Sequence, residues 1–226
     1  MLPLEKSKRI YDLKEQKFML YGRPKIGKTT FANDFPTPLF LATEPGHSHI
    51  ECYKVNIRSW DEFLDACADI VNQKHNFKTI VIDIVDNLYD MCSDYICMKK
   101  GFEHPSDLPM GKGYGFVNEE FRKKVNKLSK LGYTILFISH LNTEKIKTKT
   151  KEYDMFTPTV TGKTRKFILG LCDHILYITS RMEQEKEVRT IVTRGSMYWD
   201  AGSRNQELEE AQEIPFGYKE LAKYFK

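Results

Sequence analysis

The sequence predicts an α/β fold with a mostly parallel twisted sheet, helices on both faces and a C-terminal antiparallel hairpin. Segments with strand character alternate with segments of helical periodicity along most of the chain, which is typical of parallel strands joined by crossover helices. Several strand candidates are apolar at every position, as strands buried on both faces are. A glycine-rich loop at residues 22–29 also joins the first strand to the first helix.

Length and composition narrow the class of protein. A chain of 226 residues suits one α/β domain, and its net charge of +4 is mild. The five cysteines are odd in number and none has C-x-x-C spacing, which indicates a reducing compartment and argues against disulfides or a zinc site. We find no signal sequence or membrane span, so we expect a soluble cytoplasmic protein.

The loop at residues 22–29 reads GRPKIGKT and matches the phosphate-binding pattern G-x-x-x-x-G-K-[ST] in full. In this pattern backbone N–H groups cradle phosphates, the lysine supplies charge and the hydroxyl ligates Mg²⁺. The flanking segments, a strand at 17–21 and a helix at 28–33, are the context that the pattern needs, although a plain strand-to-helix turn is the alternative. We therefore predict Mg²⁺-dependent nucleoside triphosphate binding by Gly22, Arg23, Pro24, Lys25, Ile26, Gly27, Lys28, Thr29 and Thr30.

The remaining elements follow from periodicity and turn signals. Predicted strands lie at 38–43, 79–82, 134–138, 174–178 and 188–193. Predicted helices lie at 60–71, 86–99 and 116–131, with a short one after Pro215. We expect loops at 101–115 and 141–166, the second long and polar. The helix at 116–131 carries a basic face, which is most simply a solvated surface.

Two carboxylates are placed to serve a bound triphosphate. Asp83 ends the apolar run that begins at Thr79, where an acid can hold Mg²⁺ and its waters; a helix cap is the alternative, and Asp86 is a rival for the role. Glu44 follows the strand at 38–43, and ligands of open parallel sheets gather at such carboxyl ends. A carboxylate there can polarise a water towards the γ-phosphate, unless it is an ordinary loop acid.

His140 and the segment behind it extend the predicted site. His140 closes the strand at 134–138, where its ring is placed either to contact the γ-phosphate or to sit in the core as a hydrogen-bonded histidine. The 141–166 segment has a net charge of +4 and contains Tyr153 and Phe156, a composition that suits single-stranded nucleic acid. A solvated loop is the alternative. The predicted DNA-binding residues are Lys145, Lys147, Lys149, Lys151, Lys163, Arg165 and Lys166.

Together these residues resemble the RecA-like ATPases, and more narrowly small phage-encoded nucleotide-binding proteins, some of which are single-strand annealing recombinases of the Sak group. The segments that carry the resemblance read GRPKIGKTT, LFLATEPG, TIVID, HPSDLPMGKGYG, ILFISH and YWDAGSRN. A glutamate that ends the strand after the P-loop helix points to the RecA branch. The resemblance implies a RecA-like P-loop NTPase core at 17–205, with an N-terminal arm at 1–16 and a tail or short helix at 206–226.

The resemblance also implies roles and partners. Glu44 would be the catalytic glutamate, Asp83 the second Mg²⁺ anchor and His140 the γ-phosphate sensor. The 101–115 and 141–166 segments look like the two DNA-binding loops, and Arg204 would act across a subunit interface in a homo-oligomer that holds ATP between protomers. The chain begins close to the P-loop, so the flanking domain of larger relatives would be missing and we do not expect long filaments.

The leading functional hypothesis is a DNA-dependent ATPase that binds single-stranded DNA and promotes annealing or strand exchange in phage recombination, with a single-strand-binding protein as a further partner. The first alternative is a P-loop small-molecule kinase, for which the sequence has no clear arginine-rich lid. A GTPase needs Asn-Lys-x-Asp, which residues 142–145 do not match. A non-catalytic loader or packaging adaptor remains open.

Overall fold

The structure, a computed structural model, describes residues 12–225 of the chain. Its strands are β1 Lys17–Gly22, β2 Pro38–Ala42, β3 Tyr53–Asn56, β4 Thr79–Asp83, β5 Thr134–Lys147, β6 Glu152–Pro158, β7 His174–Glu183, β8 Lys186–Val192, β9 Gly202–Ser203 and β10 Glu213–Pro215. Its helices are α1 Lys28–Asn33, α2 Trp60–Asn72, α3 Val85–Lys100, α4 Lys112–Leu128, α5 Gly162–Leu171, α6 Gln206–Glu210 and α7 Tyr218–Ala222. Most of the predicted arm at 1–16 lies outside the described residues.

One sheet organises these elements, in the order β10-β8-β7-β1-β5-β4-β2-β3. The six strands from β7 to β3 run parallel, whereas β8 is antiparallel to β7 and β10 is antiparallel to β8. This arrangement confirms the predicted mostly parallel sheet and the C-terminal antiparallel hairpin. Because parallel strands end at one edge, the segments that follow β1, β2 and β4 meet there.

Apolar side chains cover both faces of the sheet. On one face, α2, α3, α4 and α5 contribute residues such as Trp60, Phe121 and Ile168 to a single cluster. On the other face, α1, α6 and α7 contribute residues such as Phe31 and Leu221 to a second cluster. The helices on both faces confirm the prediction, and burial of both sheet faces explains why β1 and β4 are largely apolar.

The segment at 141–166 is not the predicted loop. β5 continues seven residues beyond His140, to Lys147, and pairs in antiparallel register with β6, from Leu141 opposite Pro158 to Lys147 opposite Glu152. We call this two-stranded extension, residues 141–158, the basic hairpin. Its backbone groups are paired between the two strands, so a polar sequence with alternating threonine and lysine forms strands without an apolar run. The rest of the segment begins α5.

Two other boundaries differ from the prediction. α4 begins at Lys112 rather than at Phe116. Its first turn includes Gly113, which packs against the backbone of Pro105, where a Cβ would lie 2.2 Å from the carbonyl oxygen. Two short helical turns, Pro105–Asp107 and Pro109–Gly111, occupy much of the 101–115 segment. The edge strand β3 is absent from the prediction, because it is only four residues long and all four of them are exposed, so it lacks the apolar run of a buried strand.

Candidate nucleotide-binding site

The P-loop occupies the turn between β1 and α1, at the carboxyl edge of the sheet. Both of its glycines are required by geometry. A Cβ on Gly22 would lie 2.4 Å from the carbonyl oxygen of Ile178 in β7, and Gly27 has a φ of +109°, which other residues rarely adopt. The loop is therefore pressed against its neighbouring strand and turns sharply into the helix.

Lys28 lies inside this loop. Its Nζ donates hydrogen bonds to the carbonyl oxygens of Gly22 at 2.8 Å and Arg23 at 3.1 Å, and the residue is 6% exposed. Burial lowers the pKa of Lys28, while the carboxylates of Asp83 and Glu44 raise it. An ammonium held in a poorly solvated loop interacts strongly with an anion, because little water screens it.

Asp83 and Thr29 meet beside Lys28. Asp83 ends β4, and its Oδ2 accepts a hydrogen bond of 2.9 Å from the Thr29 hydroxyl at the start of α1. The same Oδ2 lies 3.2 Å from Nε2 of His47, which is buried with it. The sequence interpretation did not identify His47. Its partner Asp83 is more than thirty residues away along the chain, on β4, so no local sequence pattern marks the contact.

This oxygen pair fits Mg²⁺. Hydroxyl and carboxylate oxygens are the ligands that Mg²⁺ prefers, and it usually takes only one or two from the protein, with phosphate and water supplying the rest. Within residues 12–225, no group of three or more His, Cys, Asp or Glu side chains is placed to hold a metal ion. A magnesium ion at Thr29 and Asp83 would thus depend on a bound phosphate.

Glu44 and His140 face each other across the end of β4. Register places Ala42 of β2 beside Asp83, and Asp83 beside Ile138 of β5. Glu44 and His140 lie two residues farther along, and Nε2 of His140 is 3.4 Å from Oε2 of Glu44. Both side chains are one-third exposed, at 33%. The edge therefore brings together the predicted acid, the predicted sensor and the P-loop lysine.

Asp86 lies behind this pair, in the first turn of α3. Burial raises the pKa of Asp86, and the hydroxyls of Thr159 and Ser139 together with His140 oppose that rise. Ser139 and Thr159 are in contact at 3.1 Å between their hydroxyl oxygens, at the base of the basic hairpin. The nucleotide edge and the hairpin base therefore share a group of polar side chains.

The C-terminal hairpin, β7 and β8, supplies contacts to the P-loop that the sequence interpretation missed. Arg23 pairs with Glu187 of β8. Arg189, also in β8, donates from Nη1 to the carbonyl oxygen of Ile26 at 3.2 Å and lies 4.4 Å over the ring of Phe216. Arg189 and Phe216 are the groups that a Cβ on Gly27 would meet. Alternation along β8 puts Glu187 and Arg189 on one face, but only the sheet order reveals which face meets the P-loop.

Arg204 is not close to the P-loop of its own chain. Its Nη1 lies 2.7 Å from Oδ1 of Asp173, and Asp173 also accepts the backbone N–H of Lys17, which begins β1. Arg204 therefore lies at the amino edge of the sheet, opposite the nucleotide edge. Its predicted role towards a neighbouring subunit stays a prediction.

The predicted DNA-binding residues fall on two elements. Lys145 and Lys147 lie on β5 of the basic hairpin and Lys149 and Lys151 in its turn, whereas Lys163, Arg165 and Lys166 lie on α5. Arg165 is engaged: its Nη1 lies 2.5 Å from Oε1 of Glu144, and this bond lowers the pKa of Glu144. The four hairpin lysines are exposed, and Lys147 lies 3.5 Å from Glu152.

Comparison with known proteins supports the fold that holds this site. Residues 14–205 match the family AAA_24, described as an AAA domain. The chain is 26% identical over 178 residues to the SPbeta prophage-derived uncharacterized protein YorG of Bacillus subtilis (strain 168), which covers 75% of this chain and 52% of YorG. The chain thus spans about half the length of that curated relative.

Among solved structures, the KaiC-like protein PH0186 of Pyrococcus horikoshii OT3 is similar in fold. Its TM-score is 0.50 at 13% identity, over 90% of this chain and 86% of that one. No helix within residues 12–225 is long and apolar enough to span a bilayer. The chain belongs to the AAA_24 family of AAA domains and has the RecA-like fold of P-loop ATPases.

Proposed function

We propose that this protein is an ATP hydrolase whose turnover depends on single-stranded DNA, and that it promotes annealing or strand exchange. The observation that carries the proposal is the continuity of β5, which runs without a break from Thr134 to Lys147. The same strand holds His140 at the nucleotide edge and Lys145 and Lys147 on the basic hairpin. A shift of this strand with the state of the nucleotide would move the lysines with it.

The nucleotide edge supports hydrolysis. Lys28 would bind the β- and γ-phosphates, and Thr29 with Asp83 would hold Mg²⁺, which supplies charge neutralisation at the phosphate oxygens when bound. Glu44 would accept a proton from an attacking water, the role of a general base. His140 contacts Glu44 at 3.4 Å, so it is placed both to orient that carboxylate and to respond to the γ-phosphate.

The basic hairpin supports DNA binding by charge. Among residues 12–225, Lys145, Lys149 and Lys151 form no ion pair, so their ammonium groups are available to phosphates. Lys145 and Lys147 lie at alternate positions of β5, so their side chains point to one side of the strand, about 7 Å apart. Lys149 and Lys151 continue the positive charge into the turn. Binding of this kind releases counterions and weakens steeply with salt.

The wider assignment is also part of the proposal. We place the protein in phage recombination, with an annealing task similar to that of the Sak group, and with ATP between protomers of a homo-oligomer. The prophage-derived name of the Bacillus subtilis relative supports a phage setting. A single-strand-binding protein that presents the DNA would be a natural partner for such a task.

The test is ATP turnover with and without oligo-dT for a triple variant, Lys145→Gln with Lys147→Gln and Lys149→Gln. Removal of one lysine–phosphate interaction reduces the salt slope of single-strand binding by about 0.7, so removal of three predicts a change of about 2. Stimulation of turnover by DNA should fall in parallel, while turnover without DNA stays near that of the wild type.

The matched control changes three lysines of the basic face that α4 and the residues after it present: Lys123→Gln with Lys127→Gln and Lys130→Gln. It removes the same charge from the chain and should leave the salt slope and the DNA stimulation unchanged. Equal effects of the two triple variants would show that only net charge matters, and the hairpin would then have no specific role.

A non-catalytic nucleotide-binding loader or adaptor is the second candidate. The contact between Glu44 and His140 favours it, because it directs a carboxylate oxygen at the imidazole rather than at an attacking water. This candidate predicts ATP binding with negligible phosphate release, even at saturating DNA. The turnover assay therefore separates the two functions directly.

A further inference from the structure

The C-terminal hairpin has two faces with different surroundings. One face carries Ser180, Glu187 and Arg189, which contact each other or the P-loop. Side chains alternate along strands, so Tyr177, Thr179 and Arg181 lie on the opposite face. There an open cavity of about 430 Å³ lies between the hairpin, β6 and the segment 194–199, which we call the aromatic cavity.

Stacked rings form the wall of the aromatic cavity. Tyr177 is near-parallel to Phe156, with ring centroids 6.0 Å apart and an interplanar angle of 22°, and its centroid lies 6.4 Å from that of Trp199. Tyr198, which is 45% exposed, continues the row 6.2 Å beyond Trp199. Flat aromatic faces arranged in this way bind other flat π systems by stacking.

Guanidinium groups stand at the same cavity. Arg181 is held by Glu183 and Glu213, each at 2.6 Å. Arg194 is exposed, and in the part of the chain that the structure describes its side chain has no ion pair or hydrogen bond, while its carbonyl oxygen accepts the indole N–H of Trp199 at 3.0 Å. The cavity thus pairs aromatic rings with a cation that is free to meet a phosphate, the combination that a single nucleotide unit of a strand requires.

The cavity is continuous with the basic hairpin. The backbone N–H of Phe156 in β6 donates to the carbonyl oxygen of Tyr198 at 2.7 Å, and the N–H of Asp200 donates to the carbonyl oxygen of Phe156 at 3.1 Å. β6 therefore forms a wall of the cavity on one side and pairs with the lysine-bearing strand β5 on the other. A DNA single strand bound along the lysines of β5 would therefore have to cross only β6 to reach the aromatic rings.

We propose that the aromatic cavity binds an unstacked base of single-stranded DNA, with the partly exposed Trp199 as the stacking surface and Arg194 on the adjoining phosphate. Tyr177 is buried and stacked on Tyr21, so it supports Trp199 from behind. This inference rests on the DNA binding in the proposed function and adds a base-contacting site to it. The bases of a duplex are already stacked in pairs, so such a site would favour single strands.

Tryptophan fluorescence gives a direct test, because the two tryptophans differ in environment. Trp60 is 1% exposed within the core, whereas Trp199 is partly exposed in the cavity. Iodide quenching of the native protein therefore reports on Trp199. We expect oligo-dT to quench this emission and to protect it from iodide. An abasic oligonucleotide of equal length, which has the phosphates without the bases, should do neither.

Binding of the two oligonucleotides by variants at residue 199 provides the second measurement. Both Trp199→Ala and Trp199→Phe lack the indole hydrogen bond to residue 194, and only the alanine variant also lacks the ring. Trp199→Ala should weaken oligo-dT binding about tenfold, in the range found for loss of one stacked base, and leave abasic binding unchanged. Trp199→Phe should retain most of the affinity. ATP turnover without DNA checks that both variants are folded.

Failure of this inference is distinct from failure of the proposed function. If Trp199→Ala weakens oligo-dT and abasic binding equally, or if ATP alone quenches Trp199 as DNA does, the base-binding role is wrong. If substitution of the hairpin lysines weakens oligo-dT binding and Trp199→Ala does not, the proposed function stands without this site. If neither oligonucleotide binds the wild type, both proposals fall.

Discussion

The two edges of the sheet use charged side chains in different ways. At the amino edge, Asp173 pairs with the guanidinium of Arg204 and accepts a hydrogen bond from the backbone N–H of Lys17, the first residue of β1. The ring nitrogens of His174 contact Ser203 and Gln16. At the carboxyl edge, Asp83 and Glu44 converge on a buried ammonium whose pKa is lowered by burial. The amino edge satisfies its own charges, whereas the carboxyl edge concentrates charge around one loop.

This difference indicates that the two edges have different roles, one in stability and the other in ligand binding. Polar groups that are paired within the chain stabilise the fold, and a substitution there leaves an unpaired partner. Groups gathered at the carboxyl edge of a parallel sheet are placed for a ligand. We therefore expect changes at the carboxyl edge to alter activity more than stability, and changes at the amino edge to do the reverse.

Lys28→Ala should have the largest effect. Loss of an ammonium that meets two phosphates removes charge-assisted hydrogen bonds of about 1.5–3 kcal/mol each, so ATP affinity should fall about 100-fold or more. The free energy of unfolding without nucleotide should change little, because desolvation of the ammonium offsets its bonds to carbonyl groups. Isothermal titration with ATP measures the first effect and urea unfolding the second. Lys54→Ala, on exposed β3, is the charge-matched control. If Lys28→Ala loses no more ATP affinity than Lys54→Ala does, the phosphate-binding role of Lys28 is wrong.

His174 should give the clearest stability effect at the amino edge. Burial lowers the pKa of His174 from 6.5 to about 4. Between these values the unfolded chain binds a proton that the folded chain does not, so stability present above pH 6.5 is lost as the pH falls towards 4. The loss from this residue is at most about 3 kcal/mol.

Urea unfolding of the wild type and His174→Gln across this pH range measures that loss. The variant keeps a polar side chain for Ser203 and Gln16 but has no imidazole to titrate, so its stability should fall less steeply with acid. Carboxylates elsewhere titrate equally in both proteins and cancel in the difference. Parallel curves would mean that His174 is not the group responsible.

Arg204→Gln should have the smallest effect on stability, about 0.5–1 kcal/mol, because its ion pair with Asp173 is largely exposed on the arginine side. Phosphate release per folded molecule, measured together with urea unfolding, separates an effect of Arg204→Gln on turnover from its effect on stability. If Arg204 acts across a subunit interface, as the resemblance to RecA-like ATPases implies, turnover in the oligomer should also fall by about 10³-fold or more. A stability change alone would leave Arg204 a purely structural residue.

The features predicted from sequence are those that depend on short segments. The P-loop is predicted by its glycines, its lysine and the apolar strand before it, all within about ten residues. Glu44 and Asp83 are predicted because each follows a short apolar run. The family match agrees with the fold that these segments imply. An acid directly after a buried strand must lie at the carboxyl edge, whatever the order of the strands.

The features that were missed depend on pairing between distant segments. The basic hairpin has no apolar run, and its strands form because Leu141 to Lys147 find a partner in β6. Arg189 and His47 reach the nucleotide edge only through the order of strands in the sheet. The same reason applies to the aromatic cavity, whose rings come from β6, β7 and residues 198–199.

Steady-state phosphate release by the wild type and Glu44→Gln, each with and without a single-stranded oligonucleotide, distinguishes a DNA-stimulated ATP hydrolase from a nucleotide-binding protein without turnover. Release by the wild type should rise with DNA. Glu44→Gln should lower it by about 10²–10⁴, the usual contribution of a general base, while ATP affinity is retained. Release that changes neither with the oligonucleotide nor with the loss of the Glu44 carboxylate would show that the protein is not such a hydrolase.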